Sequence, residues 1–235
     1  VLAYRENREL PTPQPAPVSV TQLDEAEGKA ALASCGLTTP VGVTGSAEHV
    51  IAQAETLGFP LAVKLLSADL AHKNHAGAVH LNVENKPALE DAIEAIRMSV
   101  RAYDPALSTD RFLIERMVAS PRAEFIVGVS YKPGLGHALV IGRGGTAVEE
   151  LKDYATLLLP AGHAQFEDAL ASLEISGKLK FSDAERTVLV TQIQAIATFA
   201  EGHRSSLVEL DVNPIILDTE GRATAVDALL RLARG

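Results

Sequence analysis

The sequence ELDVNPIILDTEGRATAVDALL, residues 209–230, has the pattern of a β-hairpin with one polar face. Alternation along the first strand places Glu209, Asp211 and Asn213 on that face, while the apolar side chains between them face a core. A three-residue loop, TEG, with its glycine in the left-handed position would set Asn213 across from Asp227 to within about one residue. The segment therefore predicts two paired, half-buried strands with oxygen-bearing side chains opposite one another.

Oxygen ligands on facing strands suit a hard cation. Opposed cross-strand residues hold their Cβ atoms roughly 5 Å apart, and Mg²⁺ takes one or two protein oxygens and fills its other sites with water and phosphate. Asp227 also lies in an otherwise apolar run, where an unpaired carboxylate would be costly to bury. Asn213 and Asp227 are therefore the candidate magnesium ligands. The alternative is that both, with Asp211, are solvated positions on a half-exposed sheet.

Lys64 is unusual because it interrupts the apolar run LAVKLL, residues 61–66. Lysine is rarely buried without a partner. Two interpretations of Lys64 stay open at this point. Its ammonium group could bind a nucleotide phosphate, or the side chain could protect the edge of a sheet.

The loop ADLAHKNHAGAV, residues 68–79, collects cationic and titratable groups next to a glycine. His72, Lys73 and His75 lie within four residues of one another, and loops of this kind often close over phosphates. Lys73 is therefore a candidate phosphate contact. The segment could equally be a polar connection without chemistry.

A glycine-rich turn in LVIGRGGTAVEELKD, residues 139–153, leads from a predicted strand into a predicted helix. Backbone amides at such a helix start bind anions, so Gly144 and Gly145 are candidate phosphate contacts. The spacing also fits G-x-G-x-x-A of a Rossmann dinucleotide site through Ala147. That site needs a second strand ending in an acidic residue about 20 positions later, which residues 157–165 do not provide. The Rossmann interpretation is therefore a minor one.

The composition is that of a globular chain. Its 235 residues are 47% apolar and 22% charged, enough for one large core or two smaller ones. The sequence has no apolar run of about 18 residues, as a membrane span would need, and no basic segment leading into an apolar one, as a signal peptide would have. We therefore expect a cytoplasmic protein with no membrane partner. A net charge of −9 argues against nucleic acid as a partner, because phosphate backbones are held by clustered lysine and arginine.

Local signals divide the chain into a tail and two mixed lobes. Alternating prolines within residues 1–20 indicate an extended linker or tail, so we expect this chain to be one domain of a longer polypeptide or a separate subunit with a tail. Helices and strands alternate after it. The predicted fold class is α/β, with an α+β lobe over residues 21–113 and a second over residues 114–235.

Two capping signals mark helices. Ser182 and Glu185 form a capping box that begins a long helix. Thr21 is predicted to cap the first helix of the chain. Apolar residues at helical spacing predict the buried face of that first helix: Leu23, Ala26, Ala30 and Ala33.

Several segments, in this order, resemble the ATP-grasp domain of NDP-forming (ADP-forming) acyl-CoA synthetases, which are related to the succinyl-CoA synthetase β subunit. The segments are VKLLSADLAHK, FLIERMV, AEFIVGV, GRGGTAVEELKD and ELDVNP followed by AVDALL. Each is a weak motif, but they occur in the family's order and spacing, and the resemblance runs from about Leu23 to Leu232. The resemblance implies an ATP-grasp fold, in which two α+β subdomains hold the nucleotide between them.

The resemblance also implies roles for individual residues in binding ATP or ADP. Lys64 would contact the nucleotide phosphates. Glu115 and the following backbone through Met117 and Val118 would hold the adenine, and Glu124 would bind the ribose hydroxyls. The resemblance gives the Mg²⁺ ligands as Asn213 and Asp227, in agreement with the hairpin pattern.

His72 matches the position that, in this family, receives a phosphoryl group from a histidine loop and passes it to ADP. The implied reaction converts acyl-CoA, ADP and phosphate into the carboxylic acid, ATP and CoA, reversibly. CoA-binding and CoA-ligase domains are then expected upstream or on a partner subunit. Two alternatives stay open, namely a non-catalytic nucleotide-sensing module of a fused protein acetyltransferase and a stand-alone ATP-grasp carboxylate-amine ligase.

Overall fold

The computed structural model describes residues 19–70, 73, 75–144, 154–177 and 180–234. In chain order the elements are β1 (Val20–Gln22), α1 (Glu25–Ala33), β2 (Gly42–Gly45), α2 (Ala47–Leu57), β3 (Leu61–Leu65), β4 (Val79–Val83), α3 (Lys86–Tyr103), β5 (Phe112–Arg116), β6 (Pro121–Lys132), β7 (Gly136–Arg143), β8 (Tyr154–Leu158), α4 (His163–Gly177), α5 (Asp183–Gly202), β9 (Leu207–Asp218), β10 (Ala223–Ala225) and β11 (Ala228–Ala233). They form two sheets, each with its own hydrophobic core. The mixed α+β architecture predicted from the sequence is confirmed.

The smaller sheet has the strand order β2-β5-β3-β4, and α2 and α3 pack against it. Lys64 is in β3, which pairs with β5 on one side and β4 on the other. The interpretation of Lys64 as a sheet-edge lysine is therefore wrong, because both neighbouring strands are present. Its ammonium group must find partners inside the molecule.

The larger sheet has the order β1-β11-β9-β6-β7-β8, with β10 beside β9, and it packs with α1, α4 and α5. The strand before the glycine-rich turn, β7, pairs antiparallel with both β6 and β8. A Rossmann site needs a parallel βαβ unit. The antiparallel pairing of β7 therefore excludes the Rossmann interpretation of this strand.

The first helix differs from its sequence prediction in both its cap and its buried face. Thr21 lies in β1, opposite Leu232, and Asp24 is the N-cap instead. Its carboxylate accepts from the Glu27 amide at 2.9 Å, and the Glu27 carboxylate accepts from the Asp24 amide at 3.0 Å. The buried positions of α1 are Glu25, Gly28, Lys29 and Leu32. The predicted alanine face is wrong because charged side chains occupy the buried side.

The predicted lobe limits, 21–113 and 114–235, remain a prediction. Residues 20–37 pack with the larger sheet, because β1 pairs with β11 and both Leu32 and Leu37 enter its core. The chain then builds the smaller sheet and returns to the larger one after β5. The start of α1 thereby comes close to β3 and β5 of the smaller sheet.

The other capping prediction is confirmed, since Ser182 and Glu185 form a capping box at the start of α5. In the described part of the chain, no helix combines the length and apolar character that crossing a membrane requires.

The turn between β9 and β10 is built as the sequence predicts. Gly221 has φ of +79°, and the Asp218 carboxylate accepts from the amides of Glu220 and Arg222, both at 2.9 Å. Beside these local bonds, the Thr219 amide donates to the Ser120 carbonyl at 3.1 Å. The turn thereby fixes how β9 faces the segment that follows β10.

We expect Gly221→Ala to lower the free energy of unfolding by about 1 kcal/mol, because alanine disfavours positive φ. A Cβ at Gly221 would lie 3.6 Å from Cγ of Glu185, which is ordinary contact, so the cost is conformational. Gly202→Ala is the control, since a Cβ there meets no described atom within 4 Å. Urea unfolding of both variants measures the difference, and equal losses would contradict the expectation.

Candidate functional site

Three lysines and three carboxylates meet where the start of α1 faces the smaller sheet. Lys29 comes from α1, Lys64 from β3 and Lys73 from the loop between β3 and β4. We call this group the ion cluster, and its members are Glu25, Lys29, Lys64, Lys73, Glu115 and Asp227.

Glu25 is the centre of the ion cluster because it contacts all three lysines. Its Oε1 lies 2.7 Å from Lys29 Nζ and 2.5 Å from Lys64 Nζ, and its Oε2 accepts from Lys73. Glu115 accepts from Lys29 at 2.7 and 2.8 Å and lies 3.1 Å from Lys64 Nζ. Lys73 reaches Asp227 Oδ1 at 3.0 Å. The cluster therefore joins elements of both sheets.

Because these side chains are buried, each one stays charged only through contact with groups of opposite charge. Glu25 is 1% exposed, Glu115 3%, Lys29 4% and Lys64 5%. Burial alone would raise the pKa of Glu25, but Lys64, Lys29 and Lys73 together hold that pKa far below its ordinary value. Burial likewise disfavours the charged form of Lys64, yet Glu25 and Glu115 raise its pKa above the ordinary value. Lys64 is thus a buried cation held in place by carboxylates.

A cavity of about 350 Å³ opens beside the ion cluster. Its wall includes Glu25, Lys73 and His75 on one side and the polar residues of the hairpin on the other: Glu209, Asp211, Asn213 and Asp227. Cationic and anionic groups therefore line the same cavity. An anion with its own bound cation matches this arrangement.

The hairpin register agrees with the sequence prediction. The backbone amide of Asn213 donates to the backbone carbonyl of Asp227 at 3.3 Å, so these two residues lie opposite each other. Asp227 Oδ1 accepts from Lys73 at 3.0 Å and from the Ala228 amide at 2.8 Å. Burial, together with Glu25, raises the pKa of Asp227, and this is only partly offset by Lys73 and Lys64.

Asp211 adds a further carboxylate to the hairpin side of the cavity. Burial raises the pKa of Asp211 to about 6, and the nearby carboxylates of Glu209 and Asp227 act in the same direction. A divalent cation near this side of the cavity would relieve the repulsion between these carboxylates.

The oxygens of Asn213 and Asp227 fit magnesium, which needs only one or two protein ligands. Within residues 19–234, leaving out the stretches that the structure does not describe, no group of three or more His, Cys, Asp or Glu residues is placed to hold a metal ion. A cation here would therefore share its coordination with water and a bound phosphate. That is the usual environment of Mg²⁺ with a nucleotide.

A second cavity, of about 260 Å³, contains Glu124 and Gly144 together with Arg122 and Arg143. The Gly144 amide donates to the Glu124 carbonyl at 2.7 Å, and a Cβ on Gly144 would lie 2.9 Å from Glu124 Cβ. Only glycine fits at this position without a shift of β6. Glu124 and Gly144 are thus neighbours, but they do not line the cavity beside the ion cluster.

Comparison with known proteins identifies the architecture. A family described as the ATP-grasp domain matches residues 18–232, almost the whole chain. The chain belongs to the ATP-grasp family. The fold predicted from the sequence is confirmed.

Relatives of this ATP-grasp chain include the beta subunit of ADP-forming acetate–CoA ligase II from Pyrococcus furiosus, which is 28% identical over 90% of this chain and 92% of that subunit. The ADP-forming 4-hydroxybutyrate–CoA ligase of Nitrosopumilus maritimus is 28% identical over 86% of this chain, but the match spans only 29% of that protein. The chain is thus similar to one whole subunit and to less than a third of a longer ligase. The resemblance to ADP-forming acyl-CoA synthetases is confirmed.

A solved structure of acetyl-coenzyme A synthetase 1 from Ca. Korarchaeum cryptofilum has a TM-score of 0.79 and 24% identity, and the match covers 91% of this chain and 94% of that one. That protein was solved in complex with coenzyme A and Ca-AMPCP. At this identity, the likeness establishes a shared fold only.

The ATP-grasp chain brings together Lys64, Lys73, Asn213 and Asp227, four of the residues selected from the sequence. Glu115 also enters this group, since its carboxylate is bound by lysines.

The remaining predicted residues have other surroundings. The Met117 amide donates to the Pro60 carbonyl at 3.2 Å, and Val118 follows the end of β5. His72 and Gly145 lie outside the described residues. Their roles stay predictions.

Glu25 and Lys29 are the members of the ion cluster that the sequence interpretation missed. They are spaced i,i+4 and share the buried face of α1 with Leu32. The sequence signal for them was a pair of opposite charges on the same helix face as an apolar residue. The interpretation overlooked it because a buried helix face is usually apolar.

Proposed function

We propose that this ATP-grasp chain binds a magnesium complex of ADP or ATP and transfers a phosphoryl group to and from it, as the nucleotide-binding part of an ADP-forming acyl-CoA synthetase. The complete reaction would convert acyl-CoA, ADP and phosphate into a carboxylic acid, ATP and CoA, reversibly. The observation that carries the proposal is the cavity that joins Lys73 of the ion cluster to Asn213 and Asp227 of the hairpin.

In this proposal, Lys64 and Lys73 bind the nucleotide phosphates. A buried or partly buried ammonium is a strong phosphate partner because little water competes with it. Asn213 and Asp227 hold Mg²⁺, which offsets the negative charge of the phosphate oxygens during transfer. Glu209 and Asp227 raise the pKa of Asp211 by repulsion, which a bound cation would relieve, and this supports the assignment.

The resemblance to the family also gives residues for the adenosine part of the nucleotide. Glu115 with the backbone of Met117 and Val118 is proposed to hold the adenine, and Glu124 the ribose hydroxyls. The amides of Gly144 and Gly145 are proposed phosphate contacts, and that of Gly144 would have to release the Glu124 carbonyl, to which it donates at 2.7 Å, before it could bind phosphate. Gly144 lies directly against Glu124, so a phosphate contact at the glycine-rich turn and a ribose contact at Glu124 would lie close together, beside the second cavity.

His72 is proposed to carry the phosphoryl group between the acyl-CoA part of the enzyme and the nucleotide. In the direction of ATP synthesis, the N–P bond of phosphohistidine breaks, a P–O bond to a terminal oxygen of ADP forms, and the imidazole is released. A partner that binds CoA must supply the phosphoryl group. Such a partner is a CoA-binding and CoA-ligase part, either on the same polypeptide or on another subunit, in keeping with the subunit naming of the Pyrococcus furiosus relative.

Magnesium with ADP should raise the melting temperature of this chain, whereas NAD should not. A ligand at about 100 times its dissociation constant adds roughly 2.7 kcal/mol to the free energy of unfolding. Asp227→Asn should remove the extra stabilisation due to magnesium, because it removes a carboxylate ligand while conserving size. Thermal unfolding with and without Mg²⁺ gives both results.

The control for this experiment is Asp91→Asn, which makes the same change at an exposed position of α3. It should retain the full magnesium effect. A shift with NAD and none with Mg-ADP would overturn the proposed function. Identical magnesium effects in Asp227→Asn and Asp91→Asn would show that Asp227 does not bind the metal ion.

A further inference from the structure

Glu25 is a buried carboxylate in contact with both lysines that are proposed to bind phosphate. Its Oε1 is 2.5 Å from Lys64 Nζ, and its Oε2 accepts from Lys73. It also lines the cavity beside the ion cluster. We propose that Glu25 is an internal competitor of the nucleotide, whose carboxylate occupies the phosphate site of Lys64 and Lys73 and leaves it when a polyphosphate binds. The identity of that polyphosphate as a nucleotide rests on the proposed function.

The donors of Lys64 are fully used in the structure. An ammonium group has three N–H donors. Lys64 Nζ contacts Glu25 Oε1 at 2.5 Å, the Val226 carbonyl at 2.5 Å and Glu115 Oε2 at 3.1 Å. A phosphate oxygen can therefore bind Lys64 only if one of these three acceptors is released.

Glu25 is the acceptor that a ligand in the cavity can replace. Glu115 is held by two bonds from Lys29, and the Val226 carbonyl belongs to a backbone segment fixed by the bond from the Val226 amide to Pro214. Glu25 alone among the acceptors of Lys64 also lines the cavity. Lys29 Nζ lies 2.7 Å from Glu25 Oε1 in the structure, so a partner within α1 is at hand to keep the buried charge of Glu25 paired after release.

The net charge of the ion cluster also supports displacement of Glu25 by a polyphosphate. Three lysines and three carboxylates give a formal charge of zero without a ligand. A polyphosphate therefore enters a neutral cluster and must replace a carboxylate to gain a cationic site. Removal of the Glu25 charge leaves a net positive cluster that binds phosphate directly.

The test compares the full chain with its Glu25→Gln variant, using ADP without metal and inorganic tripolyphosphate as probes. Glutamine conserves the size and one acceptor oxygen but removes the charge. Calorimetric titration should show dissociation constants for both probes lowered by about tenfold, the effect of one hydrogen bond to a charged group. Glu55→Gln, an exposed position of α2, is the matched control and should bind as the wild type does.

Affinities that are unchanged or weaker in Glu25→Gln would overturn the proposal, because Glu25 would then only position the lysines. Tighter binding of tripolyphosphate without any binding of ADP would support the competitor role and contradict the nucleotide function. Should Glu25→Gln not fold, Glu25→Asp keeps the charge but withdraws the carboxylate by one methylene. It should also bind tripolyphosphate more tightly than the wild type, and a failure to do so would equally overturn the proposal.

Discussion

Lys29→Ala is expected to lower the free energy of unfolding by about 3–5 kcal/mol, since it breaks a buried ion pair by removing one partner. Lys29 is 4% exposed and donates to both Glu25 and Glu115. Without it, Glu115 retains only Lys64, at 3.1 Å, and the ion cluster carries a net negative charge. Urea unfolding followed by circular dichroism measures the loss.

The control for Lys29 is Lys132→Ala, at an exposed position at the end of β6, which should change stability by no more than about 0.5 kcal/mol. A double variant distinguishes lost charge from lost packing. Lys29→Met with Glu115→Leu removes one charge of each sign and should recover most of the stability. A loss from Lys29→Ala as small as that of Lys132→Ala would show that the ion cluster contributes little to folding.

His72→Asn is expected to reduce phosphoryl transfer from the phosphorylated partner to ADP by at least about 10³-fold in the complete enzyme, the scale seen when a nucleophile is removed. A neutral imidazole is a competent nucleophile near neutral pH, whereas an amide nitrogen is not. Nucleotide affinity should stay at the wild-type level, because Lys64, Lys73 and Asp227 are unchanged. Transfer of labelled phosphate to ADP in a single turnover provides the rate.

Two other histidine variants test which histidine carries the phosphoryl group. His163→Asn, at an exposed position of α4, should leave transfer unchanged. If His75→Asn loses transfer and His72→Asn does not, the phosphoryl carrier is His75, the histidine that lines the cavity. Near wild-type transfer in both loop variants would mean that the partner's histidine phosphorylates ADP directly. No transfer in the wild type would favour the non-catalytic sensing module.

Local features of this chain could be predicted from the sequence because neighbouring residues determine them. The capping box at Ser182 and Glu185 needs only three residues of separation. The hairpin register that pairs Asn213 with Asp227 follows from a short turn in which Gly221 adopts positive φ. The order of weak motifs also identified the ATP-grasp family correctly.

The sequence selected Lys64 as unusual but left its partner open. In the structure the partners are Glu25 and Glu115, which lie 39 and 51 positions away along the chain. Periodicity assigned the wrong face of α1 to the core, because it assumes that a buried face is apolar. Only the approach of α1 to β3 and β5 decides that Glu25 and Lys29 are buried. Their charges are stable there because long-range folding places opposite charges within hydrogen-bonding distance, and no local pattern encodes that distance.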